Sequence, residues 1–228
     1  MSNIKTNPTL EFSNKYDAQH AEKYFNKHNS GFWRTLSTWR DRQIVRKALE
    51  RAGDPKTVLD IPCGTGRFWR VLTEQPDRVI LSADNSQDMI NTGLKFRDPK
   101  IVSQINNTFQ ASAFDIPLEN NSVECVLCIR LIHHMGESED RIKLLQELSR
   151  VTSSSIIISL WVDGNFQAWK RKKREKNKTR TSYQNRFLIP AETIEREFLQ
   201  CGLQVKHRLD FTKYHSMWRT YVLQKQNT

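Results

Sequence analysis

The sequence predicts an α/β fold in which helices cover both faces of a mostly parallel seven-stranded sheet with an antiparallel edge strand. Two observations predict it. Short, almost wholly apolar runs, typical of strands buried on both faces, alternate with segments of helical periodicity along the 228 residues. The last two apolar runs have no helix between them, and such a short connection predicts an antiparallel pair of strands at one edge.

The elements follow in a regular order after a loose tail at residues 1–12. Apolar residues recur at three- and four-residue steps over residues 16–52, with a break at 29–31 and a stop at Gly53. The predicted strands are residues 57–61, 78–83, 108–112, 123–131, 155–160, 203–209 and 218–224. The predicted helices between them are residues 68–73, 87–94, 138–151, capped by Ser138, and 190–202, opened by Pro190 and closed by Gly202.

The basic charge of the chain is concentrated in one segment. Net charge is +11, but residues 170–180 hold eight basic residues and one acidic residue, which leaves 28 basic against 24 acidic elsewhere. This distribution favours a local contact with an anion over a general nucleic-acid coat. No apolar stretch approaches the about 20 residues that span a bilayer, and the first residues lack the apolar core of a secretory signal. We therefore expect a cytoplasmic protein, with peripheral membrane contact left open.

The cysteines predict packing residues in a reduced protein. They are Cys63, Cys125, Cys128 and Cys201. Cys125 and Cys128 lie three apart in a predicted strand and therefore point to opposite faces, where they could not easily share a metal ion. There is no second C-x-x-C, and the neighbouring histidines are not at zinc-site spacing. We expect no bound metal.

The most informative motif is VLDIPCGTGRFW, which begins at residue 58. A buried strand ends at Asp60, a tight turn containing Gly64 and Gly66 follows, and a helix begins. Ligands of open α/β sheets bind beyond the carboxyl ends of strands, so a cofactor is expected at this turn. A dinucleotide fingerprint needs a third glycine where Trp69 stands, and no phosphate-loop G-K-[ST] exists. Asp84, 20 residues past Gly64, has the position at which an acid receives ribose hydroxyls.

These motifs resemble those of a known family. D-x-x-x-G-x-G after the first strand, an acid after the second and S-A-F-D-I-P before the fourth are similar to class I S-adenosylmethionine-dependent methyltransferases. The branch resembled most contains ubiquinone/menaquinone-type and tRNA wobble-uridine methyltransferases. The resemblance covers residues 16–224, with the diagnostic motifs within 57–135. It implies a Rossmann-like fold, S-adenosyl-L-methionine as cofactor, S-adenosyl-L-homocysteine as product and no metal.

The resemblance also implies a set of cofactor-binding residues. They are Asp60, Pro62, Cys63, Gly64 and Gly66 at the methionine end, Asp84, Asn85 and Met89 at the ribose and adenosine, Ser112, Ala113 and Phe114 at the adenine, and Ile129 and Arg130 on the methyl-donor side. The branch usually has aspartate where this chain has Ser112, so either that hydroxyl or Asp115 would accept from the adenine amino group. Two alternatives stay open, since Asp60 could merely cap the turn and Met89 could be a core residue.

The acceptor is expected after the fourth and fifth strands. His133 or His134 could act as a general base, although a packing role is the alternative and a base is needed only where the acceptor must lose a proton. Trp161 and Trp169 resemble an acceptor-side wall, and Trp169 and Tyr183 flank the basic run, where they could stack on RNA bases.

We expect one methyltransferase domain over residues 1–228. Its parts are an N-terminal helical lid at 1–53, a cofactor-binding core at 56–162, a basic insert at 163–188 and the C-terminal part of the sheet at 189–228. The lid helices, which an amphipathic core packing explains almost as well, carry Tyr16, Tyr24, Phe32, Trp33 and Trp39. The insert is too long for an ordinary connection, which predicts either a functional segment or a disordered one.

The sequence therefore predicts an S-adenosylmethionine-dependent methyltransferase whose acceptor is anionic or attached to an anionic carrier. A small molecule, a lipid or glycan, and RNA all remain candidates. The alternative is a non-catalytic Rossmann-like module that holds nucleic acid or an anionic membrane surface through residues 170–180. The joint presence of Asp60, Gly64, Gly66 and Asp84 argues against that alternative. The methylated atom and the oligomeric state stay open.

Overall fold

Seven strands make up the sheet in the residues that the computed structural model describes, namely 21–22, 32–176 and 186–226. The strands are β1 (Thr57–Asp60), β2 (Val79–Asp84), β3 (Asn107–Gln110), β4 (Val123–Cys128), β5 (Thr152–Trp161), β6 (Leu203–Asp210) and β7 (Trp218–Lys225). The helices are α1 (Phe32–Arg51), α2 (Trp69–Leu72), α3 (Gln87–Phe96), α4 (Pro99–Val102), α5 (Ser138–Val151), α6 (Phe166–Lys176) and α7 (Ala191–Gln200). A 3₁₀ turn follows β4 at Ile132–His134.

The strand order is β3-β2-β1-β4-β5-β7-β6. The first five strands in this order pair in parallel, and β7 pairs antiparallel with both β5 and β6. The predicted α/β fold and the antiparallel pair at one edge are confirmed. The strand that runs against the others is β7, and it lies between β5 and the edge strand β6.

Side chains alternate along the strands between two apolar clusters. Val58 packs in the cluster that includes α1, α2 and α3, whereas its neighbour Leu59 packs in the cluster that includes α5 and α7. Cys125 and Cys128 are divided between the clusters in the same way, as predicted for residues three apart. Both thiols are free and fully buried, and burial raises the pKa of Cys125 to about 12. These two cysteines therefore serve as small core residues.

Helix α5 is anchored by a buried ion pair. Arg141 donates from Nε to one carboxylate oxygen of Glu197 at 2.8 Å and from its terminal nitrogen to the other at 2.6 Å, which joins α5 to α7. The prediction that Ser138 caps this helix is wrong. Its hydroxyl donates to Glu197 at 2.6 Å, and the residue in the capping position is Glu137, which makes no side-chain capping bond.

The observed elements differ from the predicted ones in two places near the sheet's carboxyl edge. Strand β4 ends at Cys128 rather than at residue 131, because Arg130 takes a left-handed conformation with φ +66° that an extended strand cannot continue through. The long connection 163–188 contains α6, an eleven-residue helix. None of the helices in the described ranges has the length and apolar composition that crossing a bilayer requires.

Candidate functional site

Parallel pairing brings the carboxyl ends of the central strands to one edge of the sheet. Asp60 ends β1, Asp84 ends β2, and the chain leaves β4 beside them. The N–H of Cys63 donates to the carbonyl of Ala83 at 2.8 Å, and the N–H of Gly64 donates to the Asp84 carboxylate at 2.8 Å. The turn after β1 is therefore fastened to the end of β2, and the two acids are held at one site.

Asp60 is a fully buried acid without a hydrogen-bond partner. Its exposed fraction is 0%, and neither carboxylate oxygen accepts a hydrogen bond from a described residue. Burial, with the nearby charge of Asp84, raises the pKa of Asp60 well above its ordinary value. An orphaned buried acceptor of this kind is unfavourable unless a ligand supplies a donor or a positive charge.

Asp84 is buried but already bonded. One oxygen accepts from the N–H of Gly64 at 2.8 Å and the other from the N–H of Ser86 at 3.0 Å. Burial raises the pKa of Asp84, and the bonds from the backbone N–H groups oppose that rise. Each carboxylate oxygen has a second lone pair, so Asp84 can also accept from a pair of hydroxyl groups.

Glycine is required at the two positions of the turn for different physical reasons. Gly64 has φ +56° and Gly66 has φ +68°, a conformation that side chains rarely adopt. A Cβ on Gly66 would lie 2.4 Å from the buried ring of Trp69, so this glycine makes room for the indole. A Cβ on Gly64 would meet only the methyl of Met89 at 3.5 Å, so its backbone conformation alone requires glycine. The tryptophan that breaks the dinucleotide pattern is thus a core residue.

The residues predicted for the adenine and adenosine lie at the ends of β2 and β3. The N–H of Ala111 donates to the carbonyl of Asp84 at 3.0 Å, which places Ser112 next to the end of β2. The Ser112 hydroxyl accepts from the N–H of Phe114 at 3.2 Å. The remaining predicted residues here are Asn85, whose carbonyl accepts from Gln110 at 2.8 Å, Met89, which is 5% exposed, and Ala113, which is 9% exposed. Pro62, in the turn itself, follows a cis peptide bond.

A charged trio that the sequence did not predict lies beside this turn. Asp41 of α1 pairs with Arg67, which directly follows Gly66, and with Arg130 at 2.8 Å. The side chains of Asp41 and Arg67 are 12% and 8% exposed. The N–H of Arg130 donates to the hydroxyl of Ser159 at 2.9 Å, which holds the residue in its left-handed conformation. Arg67 could have been found because it stands inside the glycine motif, whereas nothing local in the sequence singles out Asp41.

Rings and guanidinium groups converge next to this trio, in what we call the aromatic–arginine cluster. Its members are Arg130, His133, Trp161, Arg171, Arg186 and Trp218. The ring of His133 lies 4.8 Å from that of Trp218 and 5.2 Å from that of Trp161. Guanidinium groups lie over the indoles at 4.3 Å for Arg130 on Trp218, and at 4.8 Å for Arg171 and 5.7 Å for Arg186 on Trp161.

His133 is held neutral in this cluster. It is 3% exposed, and burial together with the charges of His134 and three arginines lowers its pKa to about 2. Its Nδ1 and the indole N–H of Trp161 have no hydrogen-bond partner among the described residues. The cluster therefore combines positive charge, flat apolar surfaces and unused polar atoms, as a binding site for a planar anionic group would.

A small cavity lies beside the cluster. Phe68, Ile129, Arg130 and Trp218 line it, together with Asp41 of α1. The predicted Ile129 thus lies beside Arg130 and Trp218 of the cluster. Trp218 and Arg186 were missed because the fold alone brings them near Trp161.

The other residues predicted for the acceptor site lie away from the cluster or outside the described residues. Trp169 is 58% exposed on the outer side of α6, away from the cluster. Tyr183 lies outside the described residues, as do the predicted lid residues Tyr16 and Tyr24 and the side chains of Phe32 and Trp33. Within the described part of the chain, no group of three or more His, Cys, Asp or Glu residues could hold a metal ion.

Comparisons with known proteins agree with this geometry. Residues 59–158 match the family model described as a methyltransferase domain. Mouse tRNA (carboxymethyluridine(34)-5-O)-methyltransferase ALKBH8 is 26% identical over 163 residues, 68% of this chain and 22% of that protein. Human probable tRNA methyltransferase 9B is 25% identical over 51% of this chain and 24% of that protein. This chain thus spans about a quarter or less of the length of these relatives.

A solved structure shares the whole fold. Magnesium protoporphyrin IX methyltransferase from Synechocystis PCC 6803, with bound S-adenosylhomocysteine, has a TM-score of 0.75 at 11% identity, over 95% of this chain and 99% of that chain. The fold is therefore that of class I, Rossmann-like methyltransferases. Residues 59–158 match the model of the methyltransferase domain, and the bound S-adenosylhomocysteine and S-adenosylmethionine belong to the neighbouring structures.

Proposed function

We propose that this chain transfers a methyl group from S-adenosylmethionine to an oxygen that is already ionised, a carboxylate, on an acceptor carried by RNA. The observation that carries the proposal is the aromatic–arginine cluster, which places three guanidinium groups beside the buried His133, whose pKa burial lowers. The proposal has three parts: the cofactor site, the charge of the acceptor and its carrier.

The residues of the glycine turn fit the cofactor. The orphaned carboxylate of Asp60 would receive its ammonium group, and the free lone pairs of Asp84 would receive its ribose hydroxyls. Ser112, Ala113 and Phe114 would flank the adenine. When bound, S-adenosylmethionine supplies a methyl group on a positively charged sulfur, and displacement forms the acceptor O–CH₃ bond while the S–CH₃ bond breaks. The chain's own contribution is alignment and the exclusion of water.

The charge of the acceptor is inferred from the poor suitability of His133 as a general base. A general base must bind the proton that it removes, and with a pKa of about 2 His133 would hold one poorly. A carboxylate acceptor needs no base, because it is ionised at neutral pH. The arginines would orient it, since guanidinium groups match the geometry of carboxylates. We therefore propose that His133 forms part of the wall, while His134 keeps the predicted role of candidate base only for an acceptor that must lose a proton.

RNA as the carrier is supported by charge and by the relatives. Residues 170–180 contribute a net charge of +7, and both curated relatives have names that describe tRNA methyltransferases. Trp161 and Trp218 would form apolar walls beside a base that bears the carboxylate.

Helix α1 supports the division of the chain that the sequence suggested. Asp41 on this helix bonds Arg67 and Arg130, and Arg40 donates to the carbonyl of Phe211 at 3.0 Å. We propose that residues 1–53 form a lid and that α1 is the part of this lid that is fixed to the sheet. The non-catalytic alternative is disfavoured, because a module without a cofactor would gain nothing from the buried, unpartnered Asp60.

Methyl transfer to bulk tRNA tests the proposal. The chain, S-adenosylmethionine labelled in its methyl group, and tRNA purified from cells lacking this protein should give labelled RNA whose label mild alkali releases as methanol, as expected for a methyl ester. Label that survives alkali would contradict a carboxylate acceptor. The absence of labelled RNA together with undetectable binding of S-adenosylhomocysteine would contradict the enzyme assignment.

A single arginine of the cluster offers a sharper test. Arg186→Gln should raise the KM for the RNA about tenfold or more, because a hydrogen bond to a charged group is lost, with less effect on the affinity for S-adenosylhomocysteine. The matched control is Arg196→Gln, a substitution at an exposed arginine on α7 remote from the cluster. Equal KM values in the two variants would contradict the role given to Arg186.

A further inference from the structure

The outer face of α6 and the loop between β6 and β7 form an exposed surface of rings and cations, which we call the α6 platform. Its residues are Phe166, Trp169, Lys170, Lys173, Arg174, Lys213, Tyr214 and His215. Three of its rings are largely accessible, with exposed fractions of 49% for Phe166, 58% for Trp169 and 76% for Tyr214. Phe166, Trp169 and the α6 cations border an open depression of about 340 Å³. Large aromatic side chains rarely stay this exposed in such number without a partner.

Rings and cations are interleaved on the platform. Phe166 stacks on His215 with centroids 5.5 Å apart and planes inclined by 24°, and its centroid lies 5.9 Å from that of Trp169. The ammonium of Lys173 lies 5.5 Å from the Trp169 ring, and that of Lys213 lies 5.0 Å from the Tyr214 ring. Flat faces alternating with positive charges match the alternation of bases and phosphates in a nucleic-acid strand.

The platform is preorganised by backbone contacts. The N–H groups of Phe166 and Gln167 at the start of α6 donate to the carbonyls of Tyr214 and His215 at 3.1 and 3.0 Å. Tyr214 has φ +61°, a left-handed conformation that is unfavourable for a bulky side chain, and its ring points into solvent instead of packing. Strain of this kind that stabilises no core contact is a feature of binding sites.

The platform lies next to the aromatic–arginine cluster. Ala168 on the inner face of α6 is 1% exposed, and Arg171 reaches over the ring of Trp161. One helix therefore has the platform on one side and the cluster on the other, and an α-helix with its side chains is only about 10–12 Å across.

We propose that the α6 platform binds an unpaired segment of RNA, stacking its bases on Trp169, Phe166 and Tyr214 and pairing its phosphates with the surrounding lysines and arginine. The bound segment presents a neighbouring nucleotide to the cluster, so the inference rests on the proposed function for the identity of the acceptor. An anionic membrane is less suited to the platform. Only three of the eleven residues of α6 are apolar and one of them is buried, which leaves no broad apolar face to insert.

Substitutions at Trp169 separate stacking from apolar burial. Binding of the full chain to a fluorescent single-stranded 12-nucleotide oligouridylate is followed by anisotropy without cofactor. Trp169→Phe keeps a flat ring and should stay within about threefold of the unaltered chain, whereas Trp169→Leu keeps apolar surface without a π-face and should bind about tenfold more weakly. Leu199→Ala, at a leucine of α7 that is also 58% exposed, is the matched control and should leave binding unchanged.

Salt dependence tests the phosphate contacts. Replacing Lys170, Lys173 and Arg174 together by Ser should reduce the slope of log K against log salt by about 2, since each contact with a single strand contributes about 0.7. Lys206→Ser, at an exposed lysine of β6, is the control for charge alone. It should leave the slope unchanged, whereas a general effect of charge would reduce it by about 0.7.

Three results would overturn the inference. The first is equal RNA affinity for Trp169→Leu and the unaltered chain, and the second is an unchanged salt slope in the triple variant. The third is that the unaltered chain binds phosphatidylserine/phosphatidylcholine vesicles instead of RNA, and that Trp169→Leu still binds them. The last result would assign the platform to membranes. Binding of S-adenosylhomocysteine and methyl transfer to tRNA are measured in parallel. If the platform substitutions leave RNA binding unchanged while the unaltered chain still methylates tRNA, this inference is refuted and the proposed function is not.

Discussion

Replacing Asp60 by asparagine should stabilise the protein and weaken cofactor binding at the same time. Asparagine has nearly the same volume, so the substitution leaves no cavity and removes only the charge. In the folded chain Asp60 is fully buried, neither oxygen accepts a hydrogen bond from a described residue, and its pKa is raised well above 3.8. The asparagine amide would be unpaired as well, so the gain is only the extra cost of burying a charge instead of a neutral polar group, on the order of 1–3 kcal/mol.

The expected gain in stability can be measured by thermal unfolding. A change of 1 kcal/mol shifts the Tm of a chain of this size by about 2–4 °C, so Asp60→Asn should raise the Tm by roughly 2–10 °C at pH 7.5. The difference should shrink as the pH falls. Well below pH 3.8 the Asp60 carboxyl is neutral in both the folded and the unfolded chain and does not affect the free energy of unfolding. Because its pKa is raised in the folded chain, the free energy of unfolding falls as the pH rises above 3.8 and the carboxyl ionises in the unfolded chain.

Cofactor binding should change in the opposite direction. If Asp60 receives the ammonium group, losing a charge-assisted hydrogen bond weakens the affinity for S-adenosylhomocysteine by about 1.5–3 kcal/mol, or roughly 10- to 150-fold in Kd, by calorimetry. Asp77→Asn, at an exposed acid in the loop before β2, is the matched control and should alter neither quantity. A lower Tm in Asp60→Asn would refute the orphaned state of this carboxylate, and an unchanged Kd would refute its role in cofactor binding.

Three further predictions concern the turn, the core and the acceptor site. Gly66→Ala should lower the Tm by more than 5 °C, because its methyl would meet an indole at 2.4 Å, whereas Gly53→Ala, with nothing within 4 Å, should show only the effect of its positive φ, about 1 kcal/mol. Glu197→Gln should destabilise the chain by about 3–5 kcal/mol in urea unfolding, since it leaves the guanidinium of Arg141 buried without a counter-charge. A change below about 1 kcal/mol would contradict the buried ion pair. His133→Asn should lower kcat less than the about hundredfold typical of a lost general base, and the pH profile of kcat should show no limb near 6.5 that depends on this residue.

The sequence predicted the sheet and the cofactor turn because their signals are local. Strands buried on both faces must be almost continuously apolar, and the bend between Asp60 and Gly66 needs glycine at fixed positions. The end of β4 was predicted three residues too late, because the left-handed conformation of Arg130 depends on Ser159 and leaves no pattern in the sequence.

Features that depend on tertiary contacts were not predicted. Helix α6 has too few apolar residues to show helical periodicity, and its first N–H groups are bonded by the distant carbonyls of Tyr214 and His215. The aromatic–arginine cluster gathers residues from five separate segments of the chain. Trp218 enters it only because β7 pairs with β5 in the register that sets Trp218 opposite Trp161. A sequence pattern could suggest this pairing but could not give its register.

The reversed direction of β7 has a consequence for when the site can assemble. Because this strand runs opposite to its neighbours, its first residue, Trp218, sits across from Trp161, the last residue of β5, at the carboxyl edge. The segment translated latest among the described strands therefore contributes the Trp218 ring of the aromatic–arginine cluster. The glycine turn needs only β1 and β2, which come early in the chain, whereas the aromatic–arginine cluster stays incomplete until β7 has paired with β5.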